Sequence, residues 1–230
     1  MLYHANPIAD GAVSVRLGDT ISNLSHRAVM SAHDAIDRAR IPGVIALVPS
    51  YCTVTVYYDP MRIRCTALIL SLADCLGGSV LNAQGETRSH IVPVRYGDDF
   101  GPDLADVAAL IGVAWERVIE LHCSVEYRVH AVGFMPGFPY LAGLPEPLTI
   151  SRRDTPRLKV PGGSVAIGGA QTGIYPVDSP GGWHVIGSTP LRLFDPARSD
   201  PARFHIGDLV QFKPISSIEY ARLNPDADWE

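Results

Sequence analysis

The chain has 230 residues, 47% of them hydrophobic and 19% charged, which is typical of a globular protein. That length suffices for one large domain or two small ones, each with its own core. The formal net charge of −5 argues against general binding to nucleic acid, which favours a basic surface. No uninterrupted apolar run is long enough to cross a bilayer, and the first ten residues lack a secretory signal pattern.

Cysteine usage gives no sign of a metal site or a redox motif. None of the four cysteines belongs to a C-x-x-C pair: Cys52, Cys65, Cys75 and Cys123. A zinc knuckle and a thioredoxin-like motif are therefore unsupported, and we predict no metal site. We interpret the cysteines as small core residues or free thiols of a cytoplasmic protein.

The first part of the chain alternates between strand and helix patterns. Apolar residues alternate in the strands and recur three or four residues apart in the helices. The predicted order is strand, helix, strand, strand, helix, strand: 12–17, 21–40, 44–48, 52–58, 59–76 and 88–95. Ser22 is the expected N-cap of the first helix, and a polar loop is expected over 82–89. This order is that of a ferredoxin-like βαββαβ domain.

Beyond residue 96 the pattern changes to two short helices followed by short strands. The helices are predicted over 102–111 and 115–121, ending just before His122. The strand candidates are separated by glycine and proline: 127–133, 164–168, 184–188, 191–194 and 208–212. Many short strands with such turns indicate a barrel or a sandwich. The tail, which ends in acidic residues, is expected to be loosely held.

These patterns predict an α+β protein with two domains. The ferredoxin-like domain is expected over residues 1–87, and the β-rich domain over 88–215, with a C-terminal tail over 216–230. The first domain has no cluster of catalytic residue types, so we expect it to be a docking or packing module. Function is therefore sought in the second domain.

Residues 122–194 carry polar and aromatic side chains between glycines and prolines. Such a composition is typical of loops held in fixed shapes, which often carry binding chemistry. Within this stretch, residues 152–159 carry four cations although the chain is acidic: Arg152, Arg153, Arg157 and Lys159. The alternative is that these segments are only the turns of a barrel, but a barrel does not require this set of polar, aromatic and basic side chains.

Several motifs in this stretch carry a resemblance to a known family. They include GFMPGFPYL at 133–141, QTGIYP at 171–176 and SPGGW at 179–183. In these motifs the chain resembles the family of the B subunit of bacterial 5-oxoprolinase, which also includes the KipI kinase inhibitor and proteins labelled allophanate hydrolase subunit 1. The resemblance implies that the second domain is a cyclophilin-like β-barrel.

The resemblance implies one component of an ATP-dependent 5-oxoprolinase, inactive alone, which opens 5-oxoproline to glutamate. Its partners would be a carboxyltransferase homologue like the C subunit of that enzyme and a protein like the A subunit. ATP with Mg²⁺ would activate the lactam, a poor electrophile. The chain has no G-x-x-x-x-G-K-[ST] motif, so any ATP site is not a P-loop and could be shared with a partner.

The resemblance also implies two alternative functions. One is a KipI-like regulatory protein that binds and inhibits a sensor histidine kinase. The other is half of a biotin-dependent carboxyltransferase, related to urea carboxylase and allophanate hydrolase. No biotinyl-lysine context occurs in this chain, so biotin would have to come from another protein.

Three residues are the catalytic candidates: His122, Arg153 and Tyr175. His122 could act as acid or base, with a helix-capping role as the alternative. Nine others are candidates for substrate binding: Glu126, Arg128, Phe138, Arg152, Arg157, Lys159, Gln171, Thr172 and Trp183. The cations would bind phosphate or carboxylate, the neutral polar groups would orient a carbonyl, and the aromatic rings would wall the pocket. Any one cation could instead be solvated, either ring could be core, and Glu126 could simply pair with Arg128.

Overall fold

A computed structural model describes residues 3–77 and 87–227 of the chain. The chain divides into two compact units, Met1–Glu86 and Thr87–Glu230. Each unit has its own buried apolar core, and each is described separately below.

The first unit contains one antiparallel sheet and two helices. Its elements, in chain order, are β1 His4–Ala9, β2 Ala12–Arg16, α1 Asn23–Ala39, β3 Val44–Ser50, β4 Thr53–Tyr58 and α2 Cys65–Gly77. The strand order in the sheet is β1-β2-β4-β3. Alternate residues of β2 and β4 pack with the apolar faces of both helices, so this unit has a single core.

The predicted N-cap of α1 is confirmed, although the helix begins at Asn23 rather than at residue 21. The Ser22 side chain accepts a hydrogen bond from the backbone N–H of Ser25 at 3.1 Å. This bond satisfies one of the N–H groups that have no partner inside the first turn. The helix ends at Ala39, and its C-cap residue Arg40 adopts a left-handed conformation with φ of 46°.

Two details of this unit differ from the prediction. Strand β1 was not predicted, because its residues are mostly exposed on both faces and do not alternate, and it contains Pro7. Such a strand is tolerated at a sheet edge. Helix α2 begins at Cys65 rather than at residue 59, because the Asp59 side chain accepts the Met61 N–H and closes a separate turn. Most of the loop predicted over 82–89 lies outside the described residues.

The second unit is built around a closed barrel of seven strands in the order β10-β7-β6-β13-β5-β12-β9. The strands are β5 Ser89–Tyr96, β6 Tyr127–Val132, β7 Pro139–Ala142, β9 Ser164–Gly168, β10 Gln171–Ile174, β12 His184–Ser188 and β13 Leu209–Pro214. A separate pair of strands joins β8 Arg157–Val160 to β11 Ser179–Gly181. The helices are α3 Leu104–Ile111, α4 Trp115–Cys123 and α5 Ser217–Arg222.

The α+β class, with a barrel in the second part, is confirmed. One strand has a different place: the last strand of the predicted βαββαβ pattern is β5, which pairs with β12 and β13 in the barrel. The pattern identifies β5 as a strand but does not identify its partners. Residues 191–194 do not form a strand of the barrel, and Phe194 makes only an isolated bridge with Ala202.

The tail is held more firmly than predicted, as far as residue 227. Ser216 and Glu219 form a reciprocal capping box that begins α5. The Arg203 guanidinium donates to the carbonyl oxygens of Pro225 and Ala227. Residues 228–230 lie outside the described residues.

Close backbone packing places α3 against β12. A Cβ atom added at Gly101 would overlap the carbonyl group of Ile186, which belongs to β12. Only glycine permits this approach. Gly101 directly precedes Pro102 and Asp103, so this contact helps to fix the start of α3.

We therefore expect Gly101→Ala to lower the free energy of unfolding by about 1–3 kcal/mol, because the backbone must shift to relieve the overlap. Denaturant unfolding of the full chain measures this change. Gly133→Ala is the matched control, because a Cβ atom there would meet nothing within 4 Å. Equal stability of the two variants would contradict this account of the contact.

Candidate functional site

A buried carboxylate lies at the start of α3. Asp103 is only 1% exposed, and its backbone N–H donates to the Val185 carbonyl at 2.9 Å. In return, the Val185 N–H donates to Asp103 Oδ2 at 2.7 Å. This reciprocal pair joins the first turn of α3 to strand β12.

Two arginines neutralise this carboxylate. Arg157 donates from Nη1 to Asp103 Oδ2 and from Nη2 to Oδ1, both at 2.6 Å. Arg153 donates from Nη1 to Oδ1 at 2.8 Å. The bidentate pair with Asp103 raises the pKa of Arg157 above its ordinary value. One carboxylate thus pairs with two guanidinium groups, so Asp103, Arg153 and Arg157 together keep an excess positive charge.

Arg153 also lines an open cleft with a volume of about 840 Å³. The cleft is formed by residues 150–155, the exposed side of α3 around Asp106, and His184 at the start of β12. Arg152 and Arg153 supply positive charge to the cleft, and Asp106 and Asp154 supply negative charge. We call this site the arginine cleft.

An aromatic cluster adjoins the arginine cleft through Arg152. The Arg152 guanidinium carbon lies 5.8 Å from the centre of the Trp183 ring, within the range of a cation–π contact. Trp183 packs edge-on against Phe138 and Tyr140, with ring centres 5.7 and 5.9 Å apart. Tyr175 packs on Phe138 as well and is buried. Burial raises the pKa of the Tyr175 phenol, whose oxygen accepts a hydrogen bond from the backbone of Trp183.

His122 lies in the barrel core. Its Nε2 lies 2.9 Å from Thr172 Oγ1, and that hydroxyl donates to the carbonyl of Ala166. Nε2 therefore carries the proton, and Nδ1 accepts from the Tyr96 hydroxyl at 2.8 Å. The ring is fully buried and stacks on Phe212. Burial lowers the pKa of His122 to about 3. Both nitrogens are engaged by core groups, and a role in proton transfer stays a prediction.

The remaining predicted residues lie in several places. Lys159 forms an exposed ion pair with Asp178 at 2.8 Å. Arg128 donates to the Gly207 carbonyl at 2.7 Å, while Glu126 is exposed. The structure shows no ion pair between these two described side chains, which the sequence had suggested as one possibility. Gln171 is half-buried at the start of β10. None of these residues lines the arginine cleft.

Sequence reasoning missed Asp103 and His184. Asp103 resembles an ordinary acidic residue at the start of a helix, and no spacing rule links it to arginines fifty residues later. His184 begins a strand whose five residues are all buried. A polar ring at the end of an apolar run is the signal that could have identified it, because buried polar groups need partners.

Within residues 3–77 and 87–227, no group of three or more histidine, cysteine or acidic side chains could hold a metal ion. Among the helices of the same residues, none is long and apolar enough to cross a membrane.

The buried state of His122 predicts a pH dependence of stability. The unfolded chain binds a proton at this histidine below its ordinary pKa near 6.5, and the folded chain binds it only near pH 3. Stability contributed by the neutral ring is therefore present above about pH 6.5 and is lost as the pH falls towards 3. Over this range, the free energy of unfolding should fall less steeply with falling pH for His122→Gln than for the wild-type chain. The difference between the two slopes should correspond to the uptake of one proton on unfolding. Denaturant unfolding at several pH values measures the slopes, and equal slopes would contradict the account.

Comparison with known proteins places this architecture in a family. Residues 3–204 match the carboxyltransferase domain family, subdomain C and D. The chain is 36% identical over 228 residues to the B subunit of 5-oxoprolinase from Bacillus subtilis strain 168, covering 95% of each chain. It is 57% identical over 129 residues to the B subunit of 5-oxoprolinase from Escherichia coli O157:H7, covering 56% of this chain and 59% of the relative.

A solved structure supports the same relationship. The structure of TTHA0988 superposes with a TM-score of 0.79 at 36% identity. The match covers 89% of this chain but 40% of TTHA0988, so this chain corresponds to less than half of that protein. The chain thus belongs to the carboxyltransferase C and D domain family and is a homologue of the B subunit of 5-oxoprolinase.

Proposed function

We propose that this chain is the B subunit of a multisubunit, ATP-dependent 5-oxoprolinase. The observation that carries the proposal is its 36% identity to the Bacillus subtilis B subunit over 95% of both chains. The matched 228 residues include both compact units, so the likeness is not limited to one of them. The proposal also agrees with the character of the arginine cleft.

The two arginines of the cleft suit the carboxylate of a small substrate. 5-Oxoproline carries a carboxylate at neutral pH, and guanidinium groups bind carboxylates well. Arg152 and Arg153 both line the cleft, and Arg153 is held in position by buried Asp103. A cation fixed in advance loses little conformational entropy on binding, so it is a better anchor than a free surface arginine.

In the net reaction, the lactam C–N bond breaks, water gives its oxygen to the carbonyl carbon and hydrogen to the nitrogen, which becomes the amine of glutamate, and ATP is converted to ADP and phosphate. When bound, ATP would supply the activation that the lactam carbonyl, a poor electrophile, requires. The arginines of the cleft would also bind a phosphate group of ATP. The role of this chain is to bind and orient the anion, with Tyr175 a further candidate near Arg152.

Partner proteins complete the proposed enzyme. We infer that a carboxyltransferase homologue of the C type and a protein of the A type join this chain, because a B subunit is one part of a multisubunit enzyme. No specific contact in the described residues favours the alternative role as a kinase inhibitor, so the enzyme component is the function we propose.

The test is turnover by the reconstituted enzyme. Purified chain is mixed with its A-type and C-type partners, and release of ADP and glutamate from 5-oxoproline and ATP is measured. We expect turnover that requires this chain, and we expect Arg153→Ala to reduce it at least ~10-fold because an anchoring charge is lost.

The control is Arg117→Ala, which removes an exposed arginine paired with Glu120 on α4 and should leave turnover unchanged. Circular dichroism establishes that both variants are folded. If an assembled complex shows no turnover with the wild-type chain, the proposal fails, and binding to a histidine kinase becomes the next assay.

A further inference from the structure

Two residues that line the arginine cleft each carry a buried polar atom with no hydrogen-bond partner within the described part of the protein. Among the residues that the structure describes, His184 Nδ1 and Arg153 Nε form no hydrogen bond although both atoms are inaccessible to solvent. His184 as a whole is only 7% exposed. Buried polar atoms without partners are rare and costly, and they often mark a position where another molecule binds.

The two atoms have opposite hydrogen-bonding character. His184 Nε2 lies 3.0 Å from the carbonyl oxygen of Ser151, so Nε2 carries the hydrogen. In the neutral ring, Nδ1 is then an acceptor. Arg153 Nε can only donate. The two side chains therefore carry one unused donor and one unused acceptor.

The donor and the acceptor are held by neighbouring segments. The Arg153 backbone N–H donates to the Gly182 carbonyl at 2.8 Å, and the His184 ring donates to Ser151 two residues before Arg153. The Arg153 side chain is also fixed by Asp103. Backbone and side-chain bonds thus position both atoms without any ligand.

We propose that His184 Nδ1 and Arg153 Nε together recognise the edge of a cyclic secondary amide that carries a carboxylate. A five-membered lactam has a cis amide, so its N–H and C=O lie on the same edge of the ring. The lactam N–H would donate to His184 Nδ1, and the lactam carbonyl would accept from Arg153 Nε. Arg152, in the same cleft, would contact the carboxylate. This inference deepens the proposed function and rests on it for the identity of the lactam, 5-oxoproline.

His184 is thus a binding and specificity residue, and a defined analogue tests it. 5-Oxotetrahydrofuran-2-carboxylate has the same shape and charge as 5-oxoproline, but a ring oxygen replaces the N–H. That oxygen cannot donate to Nδ1 and would repel its lone pair. The full-length chain should therefore bind 5-oxoproline about 10-fold or more tightly than the lactone analogue. Isothermal titration calorimetry measures both dissociation constants.

Variants assign the preference to particular atoms. We expect His184→Phe to bind both compounds equally, because the acceptor is lost. His184→Gln should restore the preference, since an amide can donate to Ser151 while its oxygen accepts from the lactam. Arg153→Lys keeps the charge but lacks Nε. It should weaken the binding of both compounds by a similar factor, because both have the carbonyl.

His205→Phe is the matched control. His205 likewise has an Nδ1 atom without a hydrogen bond, but it does not line the cleft. This variant should keep the wild-type preference for the lactam. Circular dichroism and thermal unfolding establish that each variant is folded.

Three results would overturn the inference: no binding of 5-oxoproline, equal binding of lactam and lactone by the wild-type chain, or a preference that persists in His184→Phe. If His184→Phe fails to fold, the inference is still tested by the relative affinities of the wild-type chain for lactam and lactone and by the binding of both compounds to Arg153→Lys. Turnover by the reconstituted enzyme is a separate result. Turnover without a lactam preference would refute only the role of His184, whereas a preference without turnover would refute only the enzyme assignment.

Discussion

The buried carboxylate of Asp103 is the constraint on which the site depends. Removing a carboxylate from water is costly, and only close partners can offset that cost. Asp103 has four: three guanidinium N–H bonds from Arg153 and Arg157, and the backbone N–H of Val185. Because these partners come from different parts of the second unit, the carboxylate joins the start of α3, the 153–157 segment and strand β12.

This constraint explains how a loop segment can form a defined binding site. Residues 150–155 have little regular structure, so their side chains would otherwise sample many conformations. The bond from Arg153 to Asp103 and the bond from His184 to Ser151 restrict them before any ligand binds. In a site organised in this way, ordering the binding groups costs less free energy when the ligand binds.

The sequence indicated the fold better than it indicated the site. Strand and helix periodicities are local, so they identified β5 as a strand, but its place in the barrel depends on partners far along the chain. Residue type alone made His122 the first catalytic candidate, yet burial places it in the core. His184 was predicted only as part of a strand. Arg153 was predicted, but its buried partner was not, because a long-range ion pair leaves no periodic pattern in the sequence.

The most direct measurement is a double-mutant cycle between Asp103 and Arg157. The free energy of unfolding is measured for the wild-type chain, Asp103→Asn, Arg157→Met and the double variant. If the buried carboxylate and this guanidinium stabilise the site together, their coupling energy is about 1–3 kcal/mol. A coupling energy near zero would contradict the claim that Asp103 holds the arginines of this site in place.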